Sequence, residues 1–117
     1  MATKSGEYCP DASDFVWIDL SPTVGHEQSG RRPGLVLTSR NYNAASGLCV
    51  VCPITSRVRG YPFEVAIPDD VGVRGAVLAD RARSLSWEKR YVQRIERAPA
   101  KLVADVRERI AALLDID

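Results

Sequence analysis

Apolar and polar positions along this chain fall into short runs with two different periods. Residues 15–20 (Phe-Val-Trp-Ile-Asp-Leu) read as a strand that Ser21-Pro22 ends. Residues 34–38 form a continuous apolar run, suited to a strand buried on both faces. Residues 40–47 contain Asn41, Asn43 and Gly47 and read as a turn-rich connection. Residues 48–55 form a third strand, with Pro53 marking an edge or a bulge late in it. Residues 63–67 alternate as a half-exposed strand, 75–79 read as a buried one, and 91–95 as a last short one. The period then changes. Leu102, Val103, Val106, Ile110, Leu113 and Leu114 recur every three or four residues, the stripe of an amphipathic helix whose first turn suits Pro99. Six strands and a terminal helix predict a mainly β domain: a small, partly open barrel capped by the helix. Residues 1–13 lack periodicity and read as a flexible amino-terminal tail, which leaves 14–117 as one domain.

Composition narrows the function classes. The 117 residues are 45% hydrophobic and 26% charged, ordinary for a globular domain with its own core. Net charge is +1, so no global field draws the chain to nucleic acid. Thirteen of the 16 basic residues are Arg, the side chain that grips phosphate with a planar fork. No apolar run approaches membrane-spanning length and no signal-peptide core follows Met1, so the chain reads as cytoplasmic. Three cysteines do not make a disulfide framework. Cys9 reads as an exposed thiol of the tail. Cys49 and Cys52 spell C-x-x-C inside a strand, where positions three apart point to opposite faces and cannot close on one zinc.

The candidate chemistry lies in Gly25-His26-Glu27-Gln28-Ser29-Gly30-Arg31-Arg32-Pro33. A carboxylate, an amide and two guanidinium groups stand there between glycines, directly before a buried strand. The chain has no nucleophile elbow and no phosphate-cradling glycine loop. Phosphodiester cleavage by Glu and Arg remains, and RNA supplies the nucleophile itself, its 2′-hydroxyl. Glu27 can take that proton, Arg32 can hold the phosphate oxygens as charge builds, and the Thr55 hydroxyl can donate to the same oxygens. These steps need no metal or other cofactor.

The same residues resemble the MazF/PemK toxins of toxin–antitoxin systems. The match begins at Trp17-Ile18-Asp19-Leu20-Ser21-Pro22-Thr23 and the element G-x-E-Q-x-G-x-R-P over 25–33. It continues, in order, through Pro53-Ile54-Thr55-Ser56, Gly60-Tyr61-Pro62-Phe63-Glu64-Val65, Leu78-Ala79-Asp80 and Ser84-Leu85-Ser86-Trp87. The resemblance implies an SH3-like, CcdB-like barrel and a symmetric homodimer. It implies a metal-independent, sequence-selective endoribonuclease that cuts single-stranded RNA, usually messenger RNA, leaving 2′,3′-cyclic phosphate and 5′-hydroxyl ends. It also implies inhibition by a MazE-like antitoxin whose acidic, flexible tail covers the RNA groove. Arg32 and Thr55 match the family's central catalytic positions, and Glu27 matches a catalytic or RNA-contacting one.

Around that centre, His26, Gln28, Arg31, Ser56, Arg57, Arg59 and Arg81 are candidate RNA contacts. His26 stands where many members have Ser, and a substrate contact is favoured over proton transfer. Gln28 either caps the loop or reads a base edge. Arg57 and Arg59 are divided between solvated loop and phosphate binding. Arg81 stands where many members have Gln after the residue matching Asp80, so the family's RNA sequence preference is not carried over to this chain. Trp17 is read as core rather than a base-stacking platform. The helix stripe is read as core or dimer packing. Two other readings are a non-enzymatic gyrase-binding toxin on the same fold and an inert SH3-like binding module.

Overall fold

A computed structural model describes residues 8–20 and 30–116. Its elements are β1 (Asp14–Asp19), β2 (Arg31–Val36), α1 (Arg40–Ser46), β3 (Leu48–Thr55), β4 (Glu64–Ala66), β5 (Ala76–Leu78), a single 3-10 turn (Ala79–Arg81), β6 (Arg83–Ser86), β7 (Gln93–Arg97) and α2 (Ala100–Leu113). All strand pairings are antiparallel, in the order β4-β5-β3-β2-β1-β7, with β6 also on β3. The path ends at β4 and β7, which do not pair, so the sheet is not closed. The expected mainly β fold with a carboxy-terminal helix is therefore present, with seven strands among the described residues where six were expected.

β3 organises the sheet because it is long enough to serve three partners. Leu48–Val51 pair with β6, residues 54 and 55 with β5, and residues 51–53 with β2. Pro53 stands where the partner changes from β6 to β5, a place where a missing N–H breaks no ladder on that edge. Alternation along β1–β3 builds two cores. Phe15, Leu35, Cys52 and Ile54 face α2 with Leu102, Val103 and Val106, whereas Val16, Ile18, Val36, Cys49 and Val51 pack with Leu85 and Trp87. Cys49 and Cys52 thus lie on opposite faces, as the strand period requires.

Several expectations are corrected. Residues 40–47 are not an open turn: α1 is capped by Ser39, whose side chain accepts from the Tyr42 N–H, and closed by Gly47 at φ +76°. Its fully buried Asn43 donates to the Pro10 and Thr38 carbonyls, accepts from the Thr38 hydroxyl, and offers its own carbonyl to Trp87 Nε1 at 2.9 Å. Cys9 is buried in the second core rather than exposed, and the Tyr8 hydroxyl donates to the Asp14 carboxylate. β6 was not anticipated, because Leu85 is the only apolar residue in its four. The last strand begins at Gln93 because Tyr91, at φ +55°, completes a turn first. Pro99 is the cap of α2, not part of its first turn. The stripe is buried only through Val106, with Ile110 packed at its edge; Leu113 and Leu114 are exposed. Off the stripe, Arg107 donates to the Leu37 carbonyl and Arg109 to the Pro62 carbonyl, fixing the helix to the loops beside it.

An arginine-lined candidate active site

β2 and β3 run side by side, with Gly34 opposite Pro53, and this pairing brings the start of β2 close to the end of β3. Gly34 allows the approach: a Cβ there would meet Val51 Cγ2 at 2.8 Å. The result is an open cleft of about 630 Å³. Arg31, Arg32, Thr55, Ser56, Arg57 and Arg81 line it, so six of the expected site residues meet in one place. Arg59 lines a smaller adjoining cavity of about 150 Å³ that shares Thr55, Arg57, Leu78 and Arg81 with the cleft. His26, Glu27 and Gln28 lie outside the described residues.

Thr55 is the last residue of β3 and its hydroxyl is held in place. Its Oγ1 accepts from the Arg57 N–H at 3.0 Å, the closure of a short turn that also points the chain into the arginine-bearing loop. Behind Thr55, β5 approaches to an unusual degree. Gly75 has φ +116°, and a Cβ there would stand 2.0 Å from the Thr55 carbonyl oxygen. The loop after Thr55 is braced from β4, where Glu64 Oε1 accepts from the N–H groups of Arg59 (2.9 Å) and Gly60 (2.8 Å). That carboxylate therefore shapes the loop that carries Arg57 and Arg59.

The wall formed by β1 and β2 differs from the expectation for Trp17. It is 38% exposed and lines the cleft instead of the core. Its alternation places it on the Phe15 side of the sheet, but the core beneath α2 does not extend as far as this end of β1. The Arg31 guanidinium stacks 5.2 Å from the centre of its ring and donates to Gln93 Oε1 at 2.5 Å. Arg31 is thus a tethered side chain rather than a free surface charge. Sequence reasoning also missed Arg74, which lines the cleft from the turn before β5. Only its place beside Gly75 could have hinted at this.

Five guanidinium groups, those of Arg31, Arg32, Arg57, Arg74 and Arg81, therefore line one cleft, and no carboxylate among the described residues does. Such a cleft concentrates anions and suits the tetrahedral and five-coordinate oxygens of a phosphodiester. No cluster of three or more His, Cys, Asp or Glu side chains able to hold a metal occurs among the described residues. Burial pushes the thiols of Cys49 and Cys52 up to about 12, so both are neutral core groups. Among the described residues no helix is long and apolar enough to cross a membrane.

This geometry has close relatives. The chain is 42% identical over 83 residues to the endoribonuclease toxin MazF of Escherichia coli K12, covering 71% of this chain and 74% of the relative. It is 37% identical over 105 residues to the endoribonuclease PemK of Escherichia coli, covering 85% and 78%. Among solved structures, MazF of Deinococcus radiodurans superimposes with a TM-score of 0.85 at 50% identity, covering 93% of this chain and 99% of that one. A MazE–MazF complex from the same organism also gives 0.85, at 44% identity over 95% and 100%. A family model for PemK-like, MazF-like toxins of type II toxin–antitoxin systems matches residues 11–114. The chain belongs to the MazF/PemK-like toxins of type II toxin–antitoxin systems.

Proposed function

We propose that this toxin is a metal-independent endoribonuclease that cuts single-stranded RNA, chiefly messenger RNA, in the cytoplasm. The observation that carries the proposal is the cleft itself, with five arginines and the Thr55 hydroxyl converging where no carboxylate of the described residues competes. The scissile phosphate sits between Arg32 and Thr55. Glu27 takes the 2′-hydroxyl proton as that oxygen attacks phosphorus. Arg32 and the Thr55 hydroxyl stabilise the charge that builds on the non-bridging oxygens. The P–O5′ bond breaks, giving a 2′,3′-cyclic phosphate and a 5′-hydroxyl once the leaving oxygen takes a proton. Arg57 and Arg74 hold flanking phosphates, with His26, Gln28, Arg31, Ser56, Arg59 and Arg81 as further RNA contacts.

Two copies pair as a homodimer, and a MazE-like antitoxin silences the toxin by laying an acidic tail in the same cleft. The cationic lining supports that mode of inhibition, as does the MazE–MazF assembly of the Deinococcus relative. The test is incubation of purified protein with a long single-stranded RNA in EDTA, beside Arg32→Ala. Discrete fragments with 5′-hydroxyl ends, absent with the variant, are expected. Intact RNA from two unrelated sequences in both lanes would refute the reading.

A further inference from the structure

The cavity beside the cleft is not accounted for by phosphate chemistry. It measures about 150 Å³, a fraction of the volume of the cleft it opens from, and Thr55 belongs to both. Its walls combine three kinds of group: the exposed ring of Tyr61, the carboxylate of Asp80 and the guanidinium groups of Arg57, Arg59 and Arg81. Asp80 and Arg81 are consecutive in the 3-10 turn that follows β5. That turn is fixed by the buried Ala79, whose N–H donates to the Phe63 carbonyl at 2.9 Å. Among the described residues no hydrogen bond or ion pair engages the Asp80 carboxylate or the Arg81 guanidinium. The other acidic wall residue, Glu64, is tied to the loop through one oxygen, Oε1, which accepts from the Arg59 and Gly60 N–H groups. The cavity thus presents an aromatic face and, side by side on one rigid ledge next to Thr55, the acceptor-only fork of Asp80 and the donor-only fork of Arg81, with Arg57 and Arg59 on the loop wall.

We propose that this cavity holds a guanine base of the RNA, adjacent to the phosphate that is cut; the inference rests on the endoribonuclease reading. A carboxylate can only accept and a guanidinium can only donate. Guanine is the RNA base with two neighbouring donors, N1–H and the N2 amino group, and two neighbouring acceptors, O6 and N7. Asp80 accepts from N1–H and N2–H, and Arg81 donates to O6 and N7, the pairing that makes Arg the commonest specific reader of guanine. Tyr61 supplies the stacking surface that holds an unpaired base of single-stranded RNA. Cytosine leaves the acceptor fork half-used, and uracil and adenine leave both forks half-used.

Sequencing the ends of fragments from a long RNA of mixed sequence tests this. Guanine is expected within one nucleotide of the cut at roughly three quarters of the sites or more, the share that a preference of about tenfold over each other base gives. In a short RNA carrying the preferred site, inosine at that position lacks the N2 amino group and should slow cleavage about 10-fold. With Asp80→Ala the guanosine and inosine substrates should be cut at equal rates, and with Arg81→Gln a 7-deazaguanine substrate should lose its handicap. Cleavage without guanine enrichment, or a preference unchanged in both variants, would overturn the inference and leave the ribonuclease standing. RNA left intact by the wild-type protein would overturn both. The inosine comparison uses only the wild-type chain, so it is independent of whether the variants fold.

Discussion

Replacing Gly75 with alanine should disable the site from behind without touching a catalytic group. The new Cβ would begin 2.0 Å from the Thr55 carbonyl oxygen, and ordinary contact starts at 3.4 Å, so β5 and β3 must part by about 1.4 Å. Only two register pairs join these strands, Ile54 with Val77 and Thr55 with Ala76, and the second is adjacent to the substitution. The Ile67 N–H bond to the Gly75 carbonyl, 2.9 Å, is exposed to the same displacement. A non-glycine residue at φ +116° adds strain of about 1–3 kcal/mol. One or two weakened backbone hydrogen bonds add about 0.5–1.5 kcal/mol each. The sum is about 1.5–6 kcal/mol, a fall in Tm of roughly 6 °C or more for a chain of this size. The effect on chemistry should be larger than on folding, because misplacing a reacting group by about 1 Å costs about 100-fold. The control is Gly47→Ala. Its φ is +76°, yet its Cβ meets nothing within 4 Å and it lies at the end of α1. It should lower Tm modestly and leave cleavage unchanged. Calorimetry and single-turnover cleavage at 25 °C separate the two effects. A Gly75→Ala protein that cuts RNA within threefold of the wild-type rate would refute the reasoning, as would an equal loss in Gly47→Ala.

Arg32→Ala should reduce cleavage by about 100- to 1,000-fold, the scale of a lost oxyanion donor, with Tm nearly unchanged because Arg32 is exposed; both are read on one preparation. Arg74→Ala should weaken RNA binding by a similar factor for all sequences and lower the salt slope by about one, measured by fluorescence titration between 50 and 200 mM salt. Asn43→Ala should cost about 2–4 kcal/mol in chemical denaturation, since it removes at once the side-chain partner of the buried Pro10 carbonyl, of the half-buried Thr38 carbonyl and of the Thr38 hydroxyl proton. The thiols of Cys49 and Cys52 titrate at about 12 in the fold, from an ordinary value near 9. A raised folded value means their contribution is complete below the unfolded value and is lost as pH rises. Tm should therefore fall between about pH 9 and 12, and a Cys49→Ala, Cys52→Ala double variant should flatten that slope.

The parts of the fold that were legible in the sequence are those where burial is two-sided. The middle of β1, the second half of β2 and most of β3 are apolar on both faces because a core lies against each, so their runs stand out, whereas the exposed Arg31 and Arg32 kept the start of β2 out of the expected strand. α1 was hidden because its seven residues contain one fully buried position, and that position is the polar Asn43. Its stabilisation comes from hydrogen bonds to Thr38 nearby and to residues 10 and 87, which no local window contains. β6 was hidden because pairing with β3, not its own composition, makes it a strand. At the site, Arg32 and Thr55 were readable from motif and chemistry. Trp17 lies on the Phe15 side of β1 without being core, since alternation says which way a side chain points and not whether anything covers it. Arg74 and Asp80 gain their meaning only from the approach of β5 to β3.

The protein's two tryptophans sit in opposite circumstances. Trp87 is 5% exposed and bonded to the Asn43 carbonyl, while Trp17 is stacked under Arg31 at the mouth of the cleft. Light therefore reports on two separate events in this molecule. Emission from Trp87 follows the integrity of the second core. Trp17 follows whatever displaces or shields the guanidinium above its ring. A Trp87→Phe protein becomes an optical gauge of cleft occupancy, and a Trp17→Phe protein becomes a gauge of folding that is blind to ligands. Substrate and inhibitor can then be followed on the unlabelled chain.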